Sequence, residues 1–168
     1  NKPMLLEAKN GMLLAELLDT GGFKSVLLPF VHGLGDTLMF IPILEKLRSL
    51  YPDIKIDIGL LRGLEEETFF QEAILLEGDW RDKALTFGFD LVFPVNFPIE
   101  KLEDDTTTKA EMCCIEELGI EPTCGHPKLK TKKLIAVSFQ MTSVPWVANA
   151  ERDVAEKVYN EIKEAGFV

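Results

Sequence analysis

Residues Val26 to Tyr51 read VLLPFVHGLGDTLMFIPILEKLRSLY, and this stretch restricts the possible folds more than any other part of the chain. Val26 to Val31 is a short apolar run, the pattern of a buried strand. The turn His32-Gly33-Leu34-Gly35-Asp36 follows. Beyond it, Leu38, Ile41, Leu44 and Leu47 recur at helical spacing, with Glu45 and Arg48 off that stripe. A strand, a glycine-rich turn and a helix form the opening unit of an α/β chain with a mainly parallel sheet. The two glycines permit tight backbone, and the helix start offers free N–H groups to an anion or polar ligand.

Asp36 stands where a helix N-cap is expected, and two roles are open to it. As a cap, its carboxylate accepts from backbone N–H groups two or three residues on, worth about 1 kcal/mol. As a general base, it lies at the carboxyl end of a strand, where open parallel sheets place ligands. The glycine pattern is G-x-G-D. Met39 or Phe40 stands where a dinucleotide fingerprint needs its third glycine, which argues against an NAD site. No G-x-x-x-x-G-K-[ST] occurs, which argues against a P-loop kinase.

At 168 residues the chain can bury a core, and hydrophobic residues make up 46% of it. No window approaches the ~20 apolar residues of a membrane span. Glu7 and Lys9 follow Leu5-Leu6 directly, so no signal peptide is expected, and a cytoplasmic protein without a transmembrane segment is. The net charge of −10 disfavours a nucleic-acid partner, because phosphate contacts need a basic surface. Lys128, Lys130, Lys132 and Lys133 form the basic cluster and read as a solvated linker. Cys113 and Cys114 are adjacent and Cys124 is left over, so no disulfide framework is implied. A metal set of Cys113, Cys114, Cys124 and His126 lacks the spacing of a zinc cluster, because adjacent helical cysteines point about 100° apart. Packing in the core is the better reading for the cysteines.

In order along the chain, residues 1–22 form an N-terminal extension in which Asn10-Gly11 between apolar runs suggests a hairpin. Residues 23–121 form the first domain. After Tyr51-Pro52-Asp53, Ile54, Ile56 and Ile58 alternate with Lys55 and Asp57 in a second strand ending near Leu61. Arg62 lies just past it as a candidate ligand contact. A helix is expected from Glu65 to Leu76 with Phe69, Phe70, Ala73 and Ile74 inward, and a strand from Asp90 to Val95. Asn96 occupies that strand's exit. Thr106 or Thr107 caps a helix carrying Glu111 to Leu118. Residues 122–133 are a linker, and residues 134–168 hold a strand at Leu134 to Gln140 and a helix at Glu151 to Ala165, closed by Gly166.

Gly33, Gly35, Asp36, Pro42, Tyr51-Pro52 and Ile56, with Phe89-Asp90-Leu91-Val92 and the ending of EMCCIEELGIEP, resemble the family nine glycosyltransferases, the group of the ADP-heptose:lipopolysaccharide heptosyltransferases. The likeness covers about residues 24 to 168. It implies a Rossmann-like sheet flanked by helices, the front half of a GT-B enzyme, with residues 134–168 opening a second nucleotide-binding domain. It further implies metal-independent, inverting transfer of a heptose-like sugar from a nucleotide-sugar to a hydroxyl of a glycan or glycolipid. Such an acceptor leaves room for peripheral membrane contact. Asp36 would be the base, and Gly33, Leu34, Gly35, Arg62 and Asn96 would contact substrate. Thr142, Ser143 and Trp146 would form the donor-side loop, and no cofactor is required. Ser138 to Ser143 replaces the family's H-P-G-A-S, and no Lys or Arg falls between Ser143 and Ala150. That departure sustains the alternative: a non-catalytic Rossmann-like protein that binds a nucleotide or a partner.

Overall fold

The computed structural model describes residues 3–61, 73–97, 108–123 and 152–166. The chain divides into two units, Asn1–His126 and Pro127–Val168. In the first, the strands are β1 (Met4–Leu5), β2 (Ser25–Pro29), β3 (Lys55–Leu61), β4 (Ile74–Leu76) and β5 (Leu91–Val92). They form one all-parallel sheet in the order β1-β5-β2-β3-β4, an α/β Rossmann-like arrangement. Helices α1 (Leu14–Thr20), α2 (Leu34–Leu50), α3 (Trp80–Ala84) and α4 (Lys109–Cys113) flank it. A π-helical turn, Cys114–Leu118, continues α4.

The apolar run at β2 is central because both its faces find apolar neighbours. Val26, Leu28 and Phe30 join a large core with Leu14 and Leu17 of α1, Phe40, Leu44 and Leu47 of α2, and Cys113 and Leu118. Leu27 points the other way and packs with Leu76, Ala84, Phe89 and Val92. That is the period-two alternation of a strand, with hydrophobic residues on both sides. Gly59 of β3 lies under this second face. A Cβ there would come 2.7 Å from Leu76 Cδ1, so any larger residue would push the Leu76 side chain aside. At the amino ends of β2 and β5, Asp90 Oδ2 accepts from the N–H groups of Lys24 (2.9 Å) and Ser25 (3.3 Å). Ser25 Oγ accepts in return from Asp90 N–H at 3.0 Å. The ladder from Met4 N–H to Asp90 O (3.0 Å) fixes β1 outside β5.

Several local expectations are corrected. Among the described residues of the N-terminal extension, 3–22, there is no hairpin: β1 pairs in parallel with β5, and Leu14–Thr20 is a helix. Leu, Ala and Glu favour helix, Glu16 accepts from Leu13 N–H at 3.3 Å, and Leu14, Leu17 and Leu18 fall on one buried face. Gly11, at φ 79°, ends a 3-10 turn at Ala8–Asn10 instead. The buried face of α2 is Thr37, Phe40, Ile43, Leu44 and Leu47, while Leu38 is 40% exposed. Phe40 sets this rotation by stacking on Phe30 at 4.4 Å between ring centroids. Thr37 tolerates burial because its Oγ1 donates to Gly33 O at 2.8 Å.

The helix expected over Glu65 to Leu76 does not reach its end. Ile74–Leu76 is β4, Ala73 is half-buried against the core, and Phe69 and Phe70 lie outside the described residues. The strand expected over Asp90 to Val95 is Leu91–Val92, although Phe93 and Val95 N–H still donate to Leu27 and Pro29. Thr108, rather than Thr106 or Thr107, caps α4. Its Oγ1 accepts from Glu111 N–H at 3.2 Å and its own N–H donates to Glu111 Oε2 at 2.7 Å. Thr108 is the threonine with an acidic residue three positions on, as a capping box requires.

In the second unit, α5 (Arg152–Glu164) is amphipathic, with Ala155, Val158 and Ile162 half-buried on one stripe. Gly166 follows it at φ 86°, the left-handed conformation that ends many helices. The strand expected at Leu134 to Gln140 lies outside the described residues. The rotation of α2 is open to a direct check. Phe40→Ala should cost about 3–5 kcal/mol in urea unfolding, while Met39→Ala should stay within about 0.5 kcal/mol. Equal losses would place the inward face elsewhere.

Candidate functional site

The chain steps from β2 to β3 to β4 in one direction, then returns to place β5 on the other side of β2. The strand order therefore reverses between β2 and β5, and ligands of open α/β sheets bind beyond the carboxyl ends at such a point. Two features occur there: the start of α2 and a crevice beside it.

Gly33 is the N-cap of α2, with extended backbone, and its carbonyl accepts from Thr37 N–H at 3.0 Å. Gly33 has no side chain to cap with, so the first turn keeps free N–H groups. A Cβ built at Gly33 or Gly35 would meet nothing within 4 Å, so both glycines border open space. Leu34 opens the helix and Asp36 is its third residue. The N-cap position considered for Asp36 is held by Gly33, and no side chain caps the helix start. The Asp36 carboxylate lies in the first turn, where the helix dipole favours negative charge. Its partner is Lys109 at the start of α4, with Nζ to Oδ1 3.5 Å. The Asp36 side chain is 24% exposed, so solvent reaches it.

The crevice has a volume of about 380 Å³, within the range of small-ligand sites. Its floor is Pro29 and Val31 after β2 and Pro94 and Val95 after β5. Two prolines at the strand exits supply carbonyls but no N–H groups there. The polar walls come from five segments. Glu7 and Lys9 follow β1, Trp80 and Arg81 open α3, His32 and Asn96 follow β2 and β5, and Glu117 projects from the π turn. Asp36 is not among the lining residues.

Each charge in the crevice has a definite neighbour. Glu7 accepts from Lys9 at 2.8 Å and from Arg81 at 3.2 Å. Burial pushes its carboxyl up, but the hydrogen bonds and charges of these two cations outweigh that and hold it below its ordinary value. The Arg81 guanidinium lies 4.7 Å from the centre of the Trp80 ring. Glu117 has the opposite balance. Burial raises it, the N–H of Asn96 (3.3 Å) lowers it, and the charges of Glu7 and Glu116 raise it again; the net direction is up. His32 Nε2 lies 3.0 Å from Val95 O and 3.2 Å from Phe97 N. It donates to the first or accepts from the second according to which ring nitrogen carries the proton.

Of the residues singled out in the sequence, Gly33, Leu34, Gly35 and Asp36 are together at the α2 start, and Asn96 is in the crevice wall. Arg62, Thr142, Ser143 and Trp146 lie outside the described residues, as do Cys124 and His126. Cys113 and Cys114 are buried in the core and not joined in a disulfide, and burial, then Cys114 and Glu117, push the Cys113 thiol up. Among the described residues no group of three or more His, Cys, Asp or Glu is placed to hold a metal ion. No helix among them is long and apolar enough to cross a membrane. Sequence reasoning missed Glu7, Lys9, Trp80, Arg81 and Glu117. For Glu117 the one available signal was an acidic residue within an otherwise inward-facing helix register. Comparison of the chain with protein-family models, with curated proteins and with solved structures finds no match.

The folded-state value of Glu117 lies above its ordinary 4.5, so the ionised form disfavours folding. Below 4.5 the group is protonated folded and unfolded, and the penalty is absent; it grows as pH rises through the folded value. Glu117→Gln should therefore raise the melting temperature at about pH 7 and leave it unchanged at about pH 4. A gain of equal size at both pH values would show that the carboxylate charge is not the cause.

Proposed function

We propose that the first unit is the acceptor side of an inverting glycosyltransferase, with Asp36 as general base. The observation that carries this reading is a partly exposed carboxylate in the first turn of the helix after the central strand, beside two glycines bordering open space. The resemblance of the G-x-G-D turn and of Tyr51-Pro52 to the family nine glycosyltransferases supports it. In this scheme Asp36 removes the proton from an acceptor hydroxyl as its oxygen attacks the anomeric carbon of a nucleotide-sugar. The nucleoside diphosphate leaves, and configuration at that carbon inverts. Positioned general-base help of this kind is worth roughly 10²–10⁴-fold. The donor is a substrate, so the scheme names no resident cofactor. Thr142, Ser143 and Trp146 are assigned to the donor side, and Arg62 and Asn96 to the acceptor side.

A second reading has its own support. Asp36 is paired with Lys109, and the stretch from Ser143 to Ala150 has no Lys or Arg to hold a diphosphate. Both favour a non-catalytic protein that binds a nucleotide or a partner. A panel of ADP-, GDP- and UDP-sugars, read by thermal shift and by release of nucleoside diphosphate, separates the two. Under the transferase reading, Asp36→Asn lowers release by roughly 10²–10⁴-fold at unchanged melting temperature. Undiminished release from Asp36→Asn rejects Asp36 as the base. Stabilisation by a nucleotide-sugar without release from the unmutated chain favours the second reading.

A further inference from the structure

The crevice between the exits of β2 and β5 is not lined by Asp36, shares only Asn96 with the acceptor contacts assigned above, and takes one wall from a segment outside the glycosyltransferase likeness. Glu7 and Lys9 belong to the N-terminal extension, and Trp80 and Arg81 to the short α3. Its chemistry can be read directly. The floor of Pro29, Val31, Pro94 and Val95 is apolar. Around it stand acceptors at Glu7 and Glu117, donors at Lys9 and Arg81, and groups of both kinds at Asn96 and His32.

The charge arrangement selects among ligands. Lys9 and Arg81 are both engaged by Glu7, at 2.8 and 3.2 Å. An anionic ligand would have to take those cations from Glu7 and would face Glu117 as well. A cationic ligand would meet Lys9 and Arg81 at close range. A neutral ligand disturbs neither arrangement. It gains most if it carries many hydroxyls, each able to donate to a carboxylate and accept from an N–H. The mixed surface asks for such a ligand to have an apolar face as well, and a pyranose ring has hydroxyls at its edge and C–H groups on its faces. The volume of about 380 Å³ suits a ring of that size with its first substituent.

We propose that this crevice is a binding site for a neutral, hydroxyl-rich ring of monosaccharide size, held by Glu117, Asn96, His32 and the Glu7–Arg81 pair over the proline floor. The Asn96 N–H at 3.3 Å from Glu117 Oε2 leaves that carboxylate's remaining lone pairs for ligand hydroxyls. The π turn is what brings Glu117 to the wall, and such turns often occur at functional sites. The site does not depend on Asp36 acting as a base.

The test is amide and indole NMR of the full 168-residue chain. The probes are methyl glycosides of glucose, galactose and mannose, with glucosamine and glucuronate as cationic and anionic counterparts. The expected result is saturable shifts at the Trp80 indole N–H and the Asn96 amides with at least one neutral glycoside, and weaker binding of both charged sugars. Glu117→Gln and Arg81→Met should each weaken that binding by about tenfold. Absence of saturable shifts at these residues with every neutral glycoside overturns the site, as does tighter binding of a charged sugar. Unchanged affinity in both variants overturns the assignment of its polar walls. Binding is read without turnover, so its failure and the failure of Asp36 as a base are separate results.

Discussion

Strand β2 is buried on both faces and hydrogen-bonded along both edges, and the rest of the first unit depends on that double constraint. A strand in this position must be apolar throughout, and Val26-Leu27-Leu28 is. Its neighbours must be placed on both sides, so the chain has to reverse direction across it. The reversal leaves the exits of β2 and β5 without a crossover between them, and the crevice is the space that results. The Asp90 carboxylate, bonded to two backbone N–H groups at the opposite end, keeps the two strands in register. The crevice geometry at one end of the sheet thus rests on a clamp at the other.

The strand–turn–helix unit, β3 and the α/β class were legible because hydrophobic periodicity reports burial directly. What was not legible came from pairwise choices that periodicity does not encode. Thr37 is polar, so the first half of the α2 stripe was read one residue out of place, at Leu38 and Ile41, while Leu44 and Leu47 are buried as expected; the hydroxyl's bond to Gly33 O makes the burial of Thr37 tolerable. Asn10-Gly11 looks like a hairpin turn, but the leucines after it are spaced for a helix, and tertiary burial of Leu14, Leu17 and Leu18 decided the matter. Ile74 to Leu76 fits a helix end as well as a strand. Parallel pairing with Gly59 to Leu61 of β3, distant in sequence, makes it a strand.

The residues of the candidate sites divide in the same way. The α2 start could be located because its glycines and carboxylate are contiguous in the chain. The crevice could not, because its walls come from Glu7, Arg81, Asn96 and Glu117, brought together by strand order alone. Two carboxylates meet in that space with opposite environments. Glu7 has two cations against it, whereas Glu117 has one backbone N–H and the repulsion of its acidic neighbours. One fold thus holds one carboxylate charged and makes charge costly on the other.

The turn carrying Glu117 has a further consequence. Its backbone bonds span five residues, Gly119 N–H reaching Cys114 O, so it holds a wider loop of chain than an α turn would. Gly119 at φ 67° then closes it, with the side chain of Leu13 packed where a Cβ would sit about 3.1 Å away. Removing one residue from this segment would restore ordinary helical winding and rotate every following side chain by about 100°. Glu117 would turn from the wall and Leu118 from the core together. The length of this segment is therefore a locked quantity: an insertion or deletion would dismantle site and core at one stroke.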